Sequence, residues 1–219
     1  MEISKMYLTM NAYSRPGIAM KQVKGIVIHY VGNPESTALA NRNYFNRLKD
    51  QQTTKPIYAS SHYIVGLEGE IIACVPEEEV AYHASSANSD HIGIEVCHPD
   101  NSGKFSTVTY EALIGLIIDI CNRYKLNPVR DVIRHYDVTG KDCPRYYVKN
   151  VDAWEQLKKD ADKSVIDKIR IELNGVEKEV EVVNVEGFNF VKLRDLADDK
   201  IKVAYDDQKK LPIIKIRQA

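Results

Sequence analysis

The sequence predicts an α/β protein: a mixed central β-sheet packed by helices, followed by a small, mostly β C-terminal module. Three observations carry this. Short, β-branched apolar runs alternate with longer segments of helical spacing. One of those segments, "TVTYEALIGLIIDICNRYKL", is apolar along one side and long enough to cover a sheet. After about Ser164 the texture changes to short alternating runs divided by turn residues. Residues 1–164 therefore read as one domain and residues 165–219 as a second, accessory one.

"GIVIHYVGNP" is apolar and β-branched, then breaks at Gly-Asn-Pro. It reads as a buried strand ending in a loop, with His29 at the strand's end. "STALANRNYFNRLKD" follows as a helix, with Ser36 or Thr37 as its N-cap and Ala40, Tyr44 and Leu48 on one stripe. "SHYIVGLEGEIIACVP" reads as a hairpin turning at Leu67-Glu68-Gly69-Glu70. "HIGIEVCHPD" is a strand stopped by Pro99. The long helix comes next, with Leu113, Ile117, Ile120 and Cys121 on its inner face and Ile114 and Ile118 beside them. "DVIRHYDV" is a short strand that delivers His135, and "VDAWEQLKKDADK" is a closing helix carrying Trp154. In the tail, turns at Asn174-Gly175 and Glu186-Gly187 separate alternating strands, and "KLRDLAD" interrupts them as a short helix.

Composition narrows the function classes. The formal net charge is -1, so no global basic field recruits nucleic acid. No apolar run reaches the roughly 18 residues that a membrane span needs, so no membrane insertion is expected. The N-terminus lacks a charged region followed by an apolar one, which implies synthesis in the cytoplasm without a signal peptide. Cys74, Cys97, Cys121 and Cys143 are scattered and form no CxxC pair, so reduced thiols are expected rather than a disulfide framework.

One segment is too polar to fill a core. "RHYDVTGKDCP" places His135, Lys141 and Cys143 within a few residues of one another. A loop of that length can fold back on one ion, and His29 is the natural third ligand. Catalytic zinc keeps three protein ligands; two neutral imidazoles and one thiolate leave a charge of about +1, enough to bring a water's pKa to about 7. Spacing alone leaves the bland readings open. A strand-end histidine commonly serves as a hydrogen-bonding group, and a lone cysteine as a small hydrophobe. Glu95, on an apolar strand, is costly as a structural carboxylate and points to function. Tyr30 and Tyr136, each following a candidate ligand, are the aromatic residues nearest to such a site.

"VIHYVGNP", "SHYIVGLEGEI", "AYHAS", "IGIEVCHP" and "RHYDVTGKDCP" occur in order. Together they resemble the zinc-dependent N-acetylmuramoyl-L-alanine amidases of type 2, whose fold is shared with peptidoglycan recognition proteins and phage amidase-type lysozymes. The resemblance covers about Val23 to Leu157. It implies His29, His135 and Cys143 as ligands of Zn2+, Glu95 as the acid/base residue and Lys141 as the stabiliser of the oxyanion. It places His83 and Ser61 along the substrate groove; beside these readings stand a structural hydrogen-bonding role for His83 and a solvated loop charge for Lys141. Ser61 stands where some phage relatives carry a catalytic tyrosine, which shifts that burden to Glu95. The implied activity is hydrolysis of the amide between N-acetylmuramic acid and L-alanine in peptidoglycan, by a phage endolysin released through a holin or by a bacterial autolysin exported otherwise. Two alternatives stand beside it: a non-catalytic peptidoglycan-binding protein on the same fold, and a metal-free hydrolase with Cys143 as nucleophile and His135 as base.

The tail segments "LNG" and "VNVEGFNFVKLRDLA", with the final strand, resemble the small domain found at the N-terminus of copper amine oxidases and reused in bacterial surface proteins. The tail holds no histidine or cysteine, so no copper chemistry is implied. The resemblance implies wall targeting or self-association into a homo-oligomer.

Overall fold

A computed structural model describes residues 2–162, 167–173, 175–185, 188–198, 200–206 and 211–216. The chain divides into two units, Met1–Asp162 and Lys163–Ala219. The expected boundary at Ser164 lies outside the described residues.

The first unit is built on a six-stranded mixed sheet in the order β1-β4-β3-β5-β2-β6. Its strands are β1 (Ile3–Lys5), β2 (Gly25–Tyr30), β3 (Tyr63–Val65), β4 (Ile71–Ala73), β5 (His91–Val96) and β6 (Val132–Arg134). β3 and β4 form the expected antiparallel hairpin, while β2 runs parallel to both β5 and β6. Central parallel strands are covered on both faces, which explains the near-continuous apolar run of "GIVIHY". Every residue of β2 but Tyr30 is buried. β1 escapes the sequence reading: three residues pairing in parallel with β4 at the sheet's edge are too short to show a period.

Helices close both faces. α1 (Ala38–Arg47) packs over β3 and β4. Thr37 caps it, accepting from the Ala40 amide at 3.2 Å. Its buried stripe is not the expected one: Ala40 and Tyr44 are exposed, while Ala38, Phe45 and the following Leu48 are buried. Asn41 sits on that inner stripe, donating to Ser36 Oγ at 2.8 Å and to the Thr37 carbonyl at 2.9 Å. A polar residue at the centre of the stripe hid its phase. α2 (Thr107–Tyr124) is capped by Ser106, and it buries Leu113, Leu116, Ile117, Ile120 and Cys121. It ends where Lys125 turns left-handed at φ 58. α3 (Pro128–Asp131), α4 (His135–Thr139), α5 (Arg145–Lys149) and α6 (Val151–Asp162) complete the unit. α6 packs against α2 and buries Trp154, Leu157 and Ala161.

The second unit contains a three-stranded antiparallel sheet, β7 (Asp167–Leu173), β8 (Val176–Val185) and β9 (Phe188–Val191), and a two-stranded one, β10 (Ile201–Asp206) and β11 (Leu211–Ile216). Val180 and Val182 are buried on β8. Gly175, at φ +78, lies in the turn between β7 and β8. Asn174, Glu186 and Gly187, the other expected turn residues, lie outside the described residues. The expected short helix is a single 3-10 turn, Leu193–Leu196. Among the described residues, no helix is long and apolar enough to cross a membrane.

Candidate metal centre

The sheet's register lines up the candidate residues. His29 on β2 lies directly beside Glu95 on β5, and Ile28 beside Arg134 on β6. His135 is the next residue of the chain and opens α4. Glu95, His29 and His135 therefore come from the carboxyl ends of three neighbouring parallel strands, where ligand sites of open α/β sheets form.

Cys143 returns to this row because the intervening segment is a helical turn followed by a tight reversal. α4 stops at Gly140, whose φ of +76 suits a residue without a side chain. The Tyr136 amide then donates to the Cys143 carbonyl at 2.9 Å and closes the loop. Asp137 and Arg134 fasten the start of α4, with Arg134 Nη2 donating to Asp137 Oδ1 at 2.7 Å.

One donor atom from each of His29, His135 and Cys143 lies within 4.8 Å of the others. His29 Nδ1 is 3.8 Å from Cys143 Sγ, and the His29 and His135 rings are 4.7 Å apart at their centroids. All three residues are buried. Nδ1 of His135 is buried without a hydrogen-bond partner, a state that costs on the order of 1–3 kcal/mol if nothing occupies it. Three convergent nitrogen and sulfur donors form a His-His-Cys cluster, a donor set that fits a metal ion such as zinc.

The electrostatics follow from burial. Burial, helped by the Lys141 charge, pushes His135 down to about 4, and it holds His29 well below the ordinary imidazole value. Both rings are therefore neutral, as ligands must be. Burial and the neighbouring Glu95 push the Cys143 thiol up to about 12. A thiol held in that form is a poor nucleophile, and its near nitrogen belongs to His29 rather than His135. Burial also pushes Glu95 up to about 8, partly offset by Lys141. Glu95 Oε1 is 4.0 Å from His29 Nδ1, and its Oε2 has no partner. Lys141 is exposed at the rim, and its charge acts on all four groups.

Two residues expected along the substrate groove bond to groups of the protein itself. Ser61 is fully buried and donates to the Tyr63 carbonyl at 2.9 Å, so its hydroxyl does not face a groove. His83 has both ring nitrogens engaged inside the protein: Nδ1 lies 3.1 Å from His29 Nε2, and Nε2 lies 3.1 Å from the His91 carbonyl. Asn88, which the sequence reading passed over, accepts from the His83 and Ala84 amides at 2.8 and 2.6 Å and holds this segment. Gly93 was also passed over, although an isolated glycine in an apolar strand signals a close approach. A Cβ there would lie 2.5 Å from the His83 ring. Tyr30 packs between the His98 ring at 5.1 Å and the Arg145 guanidinium at 5.6 Å, while Tyr136 is exposed.

The sequence profile of the N-acetylmuramoyl-L-alanine amidases matches residues 19–146, more than half of the chain, and the chain belongs to that family. It is 33% identical over 172 residues to N-acetylmuramoyl-L-alanine amidase BlyA of Bacillus subtilis, covering 69% of this chain and 44% of the relative. It is 34% identical over 173 residues to N-acetylmuramoyl-L-alanine amidase CwlL of Bacillus licheniformis, covering 74% and 47%. The chain thus spans about half the length of the curated relatives it matches. Among solved structures, a mutant endolysin from Bacillus subtilis superposes with a TM-score of 0.61 at 27% identity, over 73% of this chain and 98% of that one. The fold is that of the amidase-type endolysins.

Proposed function

We propose that the protein is a zinc-dependent N-acetylmuramoyl-L-alanine amidase, hydrolysing the amide between the muramic acid lactyl group and the first alanine of the peptidoglycan stem. The observation that carries this reading is the convergence of His29, His135 and Cys143 beside Glu95 at one end of the parallel strands. The relatives' names supply the substrate.

An amide is a poor electrophile with a poor leaving group. Zinc held by the three donors supplies a Lewis acid for the carbonyl and lowers the pKa of water. Glu95 takes the proton from the attacking water and hands it to the departing nitrogen. Burial keeps its proton affinity near neutral pH, which suits a group that must both accept and donate. Lys141 offsets the negative charge that develops on the carbonyl oxygen. The 165–219 module attaches the enzyme to the wall or to a second copy, and release at lysis brings an enzyme made in the cytoplasm to its substrate.

The test is mass spectrometry of digested walls. Free stem peptides beginning with L-alanine are expected to accumulate, together with glycan strands that keep their lactyl groups. Binding to walls without any such product would leave the non-catalytic reading in its place.

A further inference from the structure

The three ligand residues do not orient themselves. His29 lies on a strand, and only its ring rotation and its tautomer decide whether a lone pair or an N–H faces the cluster. The bonds behind it determine both. The His91 carbonyl can only accept, so at 3.1 Å it requires the proton of His83 to sit on Nε2. With that proton on Nε2, Nδ1 of the His83 ring is the nitrogen that faces His29 and offers it a lone pair. At 3.1 Å that lone pair accepts from Nε2 of His29. His29 then keeps its single proton on the far nitrogen, and its Nδ1 lone pair faces Cys143 and Glu95. His62, whose ring lies 5.8 Å from His83, does not compete. Its Nδ1 accepts from the Gly93 amide at 2.9 Å, and its Nε2 donates to the Glu79 carbonyl at 2.9 Å.

The arrangement is built from β5. That strand contributes the His91 carbonyl at one end and Glu95 at the other. Between them Gly93, on the same face as Glu95, leaves the space that the His83 ring fills. Asn88 clamps the two amides at the His83 position.

We propose that His83 is a positioning residue of the metal site, acting through His29, and that Gly93 is glycine so that this ring can lie against the strand. The inference rests on the reading of His29, His135 and Cys143 as zinc ligands, and it deepens that reading by naming what fixes the strand-borne ligand. Partners of metal-bound histidines typically contribute about 10–100-fold to metal affinity.

The test is zinc binding by the full chain, measured by competition with a chromophoric chelator, with thermal unfolding of the metal-free protein as the folding control. His83→Phe keeps a ring of similar size but offers no acceptor, and it should weaken zinc binding about 10–100-fold. His83→Asn returns an acceptor oxygen near the Nδ1 position and should recover most of that loss, a rescue that a merely space-filling role would not give. Gly93→Ala removes no polar group yet displaces the ring, and it should weaken binding in the same direction. It decides the matter if the phenylalanine variant fails to fold. Wild-type affinity in both His83→Phe and Gly93→Ala overturns the inference and leaves the metal site standing. A wild-type chain that takes up no zinc removes the metal-site reading, and the inference with it.

Discussion

Replacing Glu95 by glutamine should make the metal-free protein more stable while removing its activity, and the structure sets the size of both effects. Burial raises the carboxyl from 4.5 to about 8. Between those values the folded chain holds a proton that the unfolded chain has released, so stability falls as pH rises through this window. pH 7 lies about 2.5 units above the unfolded value, and at about 1.36 kcal/mol per unit the penalty there is about 3 kcal/mol. It levels off near 5 kcal/mol above pH 8. Glutamine has the same shape and never ionises. At pH 4.5 and below, both side chains are neutral and the stability difference is a constant offset; above it, the variant's advantage should grow by about 3 kcal/mol at pH 7. Urea unfolding with a chelator present, at several pH values from 4.5 to 8.5, measures this directly. The zinc-loaded variant should keep its metal and lose about 10²–10⁴-fold in turnover, since an amide cannot carry the proton. Parallel stability curves for the two proteins would refute the burial argument. Near wild-type turnover would take Glu95 out of the mechanism.

Three further outcomes are expected. Cys143→Ser should lose most of its zinc, measured by elemental analysis, because a neutral hydroxyl is a poor substitute for a thiolate. Glu77→Gln should cost about 1–3 kcal/mol at pH 7. Burial opposes the Glu77 charge, but hydrogen bonds from Arg123, Tyr63 and Tyr124 outweigh it and hold the carboxyl below its ordinary range. That contribution is present above the unfolded carboxylate value and lost as pH falls through the folded one, so the two unfolding curves should converge in acid. A chain ending at Asp162 should keep its zinc and its cleavage of small soluble muropeptides while lysing intact cells less well. Loss of soluble-substrate activity in a folded truncation would make the second unit part of the active site.

Long, two-sided signals were legible in the sequence. β2, β5 and α2 each carry a run of apolar residues with a clear end, and the β3–β4 hairpin is marked by its glycine turn. What was missed is short or set by tertiary packing. β1 and α3 span three and four residues, too few to show a period. α1 was read one stripe off because Asn41 occupies its buried face. The residues of the candidate centre were individually visible, and their convergence followed from the resemblance rather than from spacing. Ser61 and His83 show the limit. The sequence placed both near the site, but which way each side chain faces depends on the Tyr63 carbonyl for one and on the gap at Gly93 for the other.

The two rims of the central sheet live under different constraints. Glu95, His29 and His135 stand at the carboxyl rim, where a slip of one residue in any strand would turn a donor to the opposite face. At the amino rim the same strands begin with generic fastenings, such as the Lys24–Asp90 ion pair at 3.0 Å and the exposed segment around Gln22. Exposed ion pairs of that kind contribute little and are easily exchanged. A lineage carrying this scaffold can therefore vary the exposed side chains of that rim in charge and surface chemistry, so long as the His91 carbonyl keeps its place behind His83. The two rims are joined through that one backbone group, and only the side chains around it are free to follow a new setting.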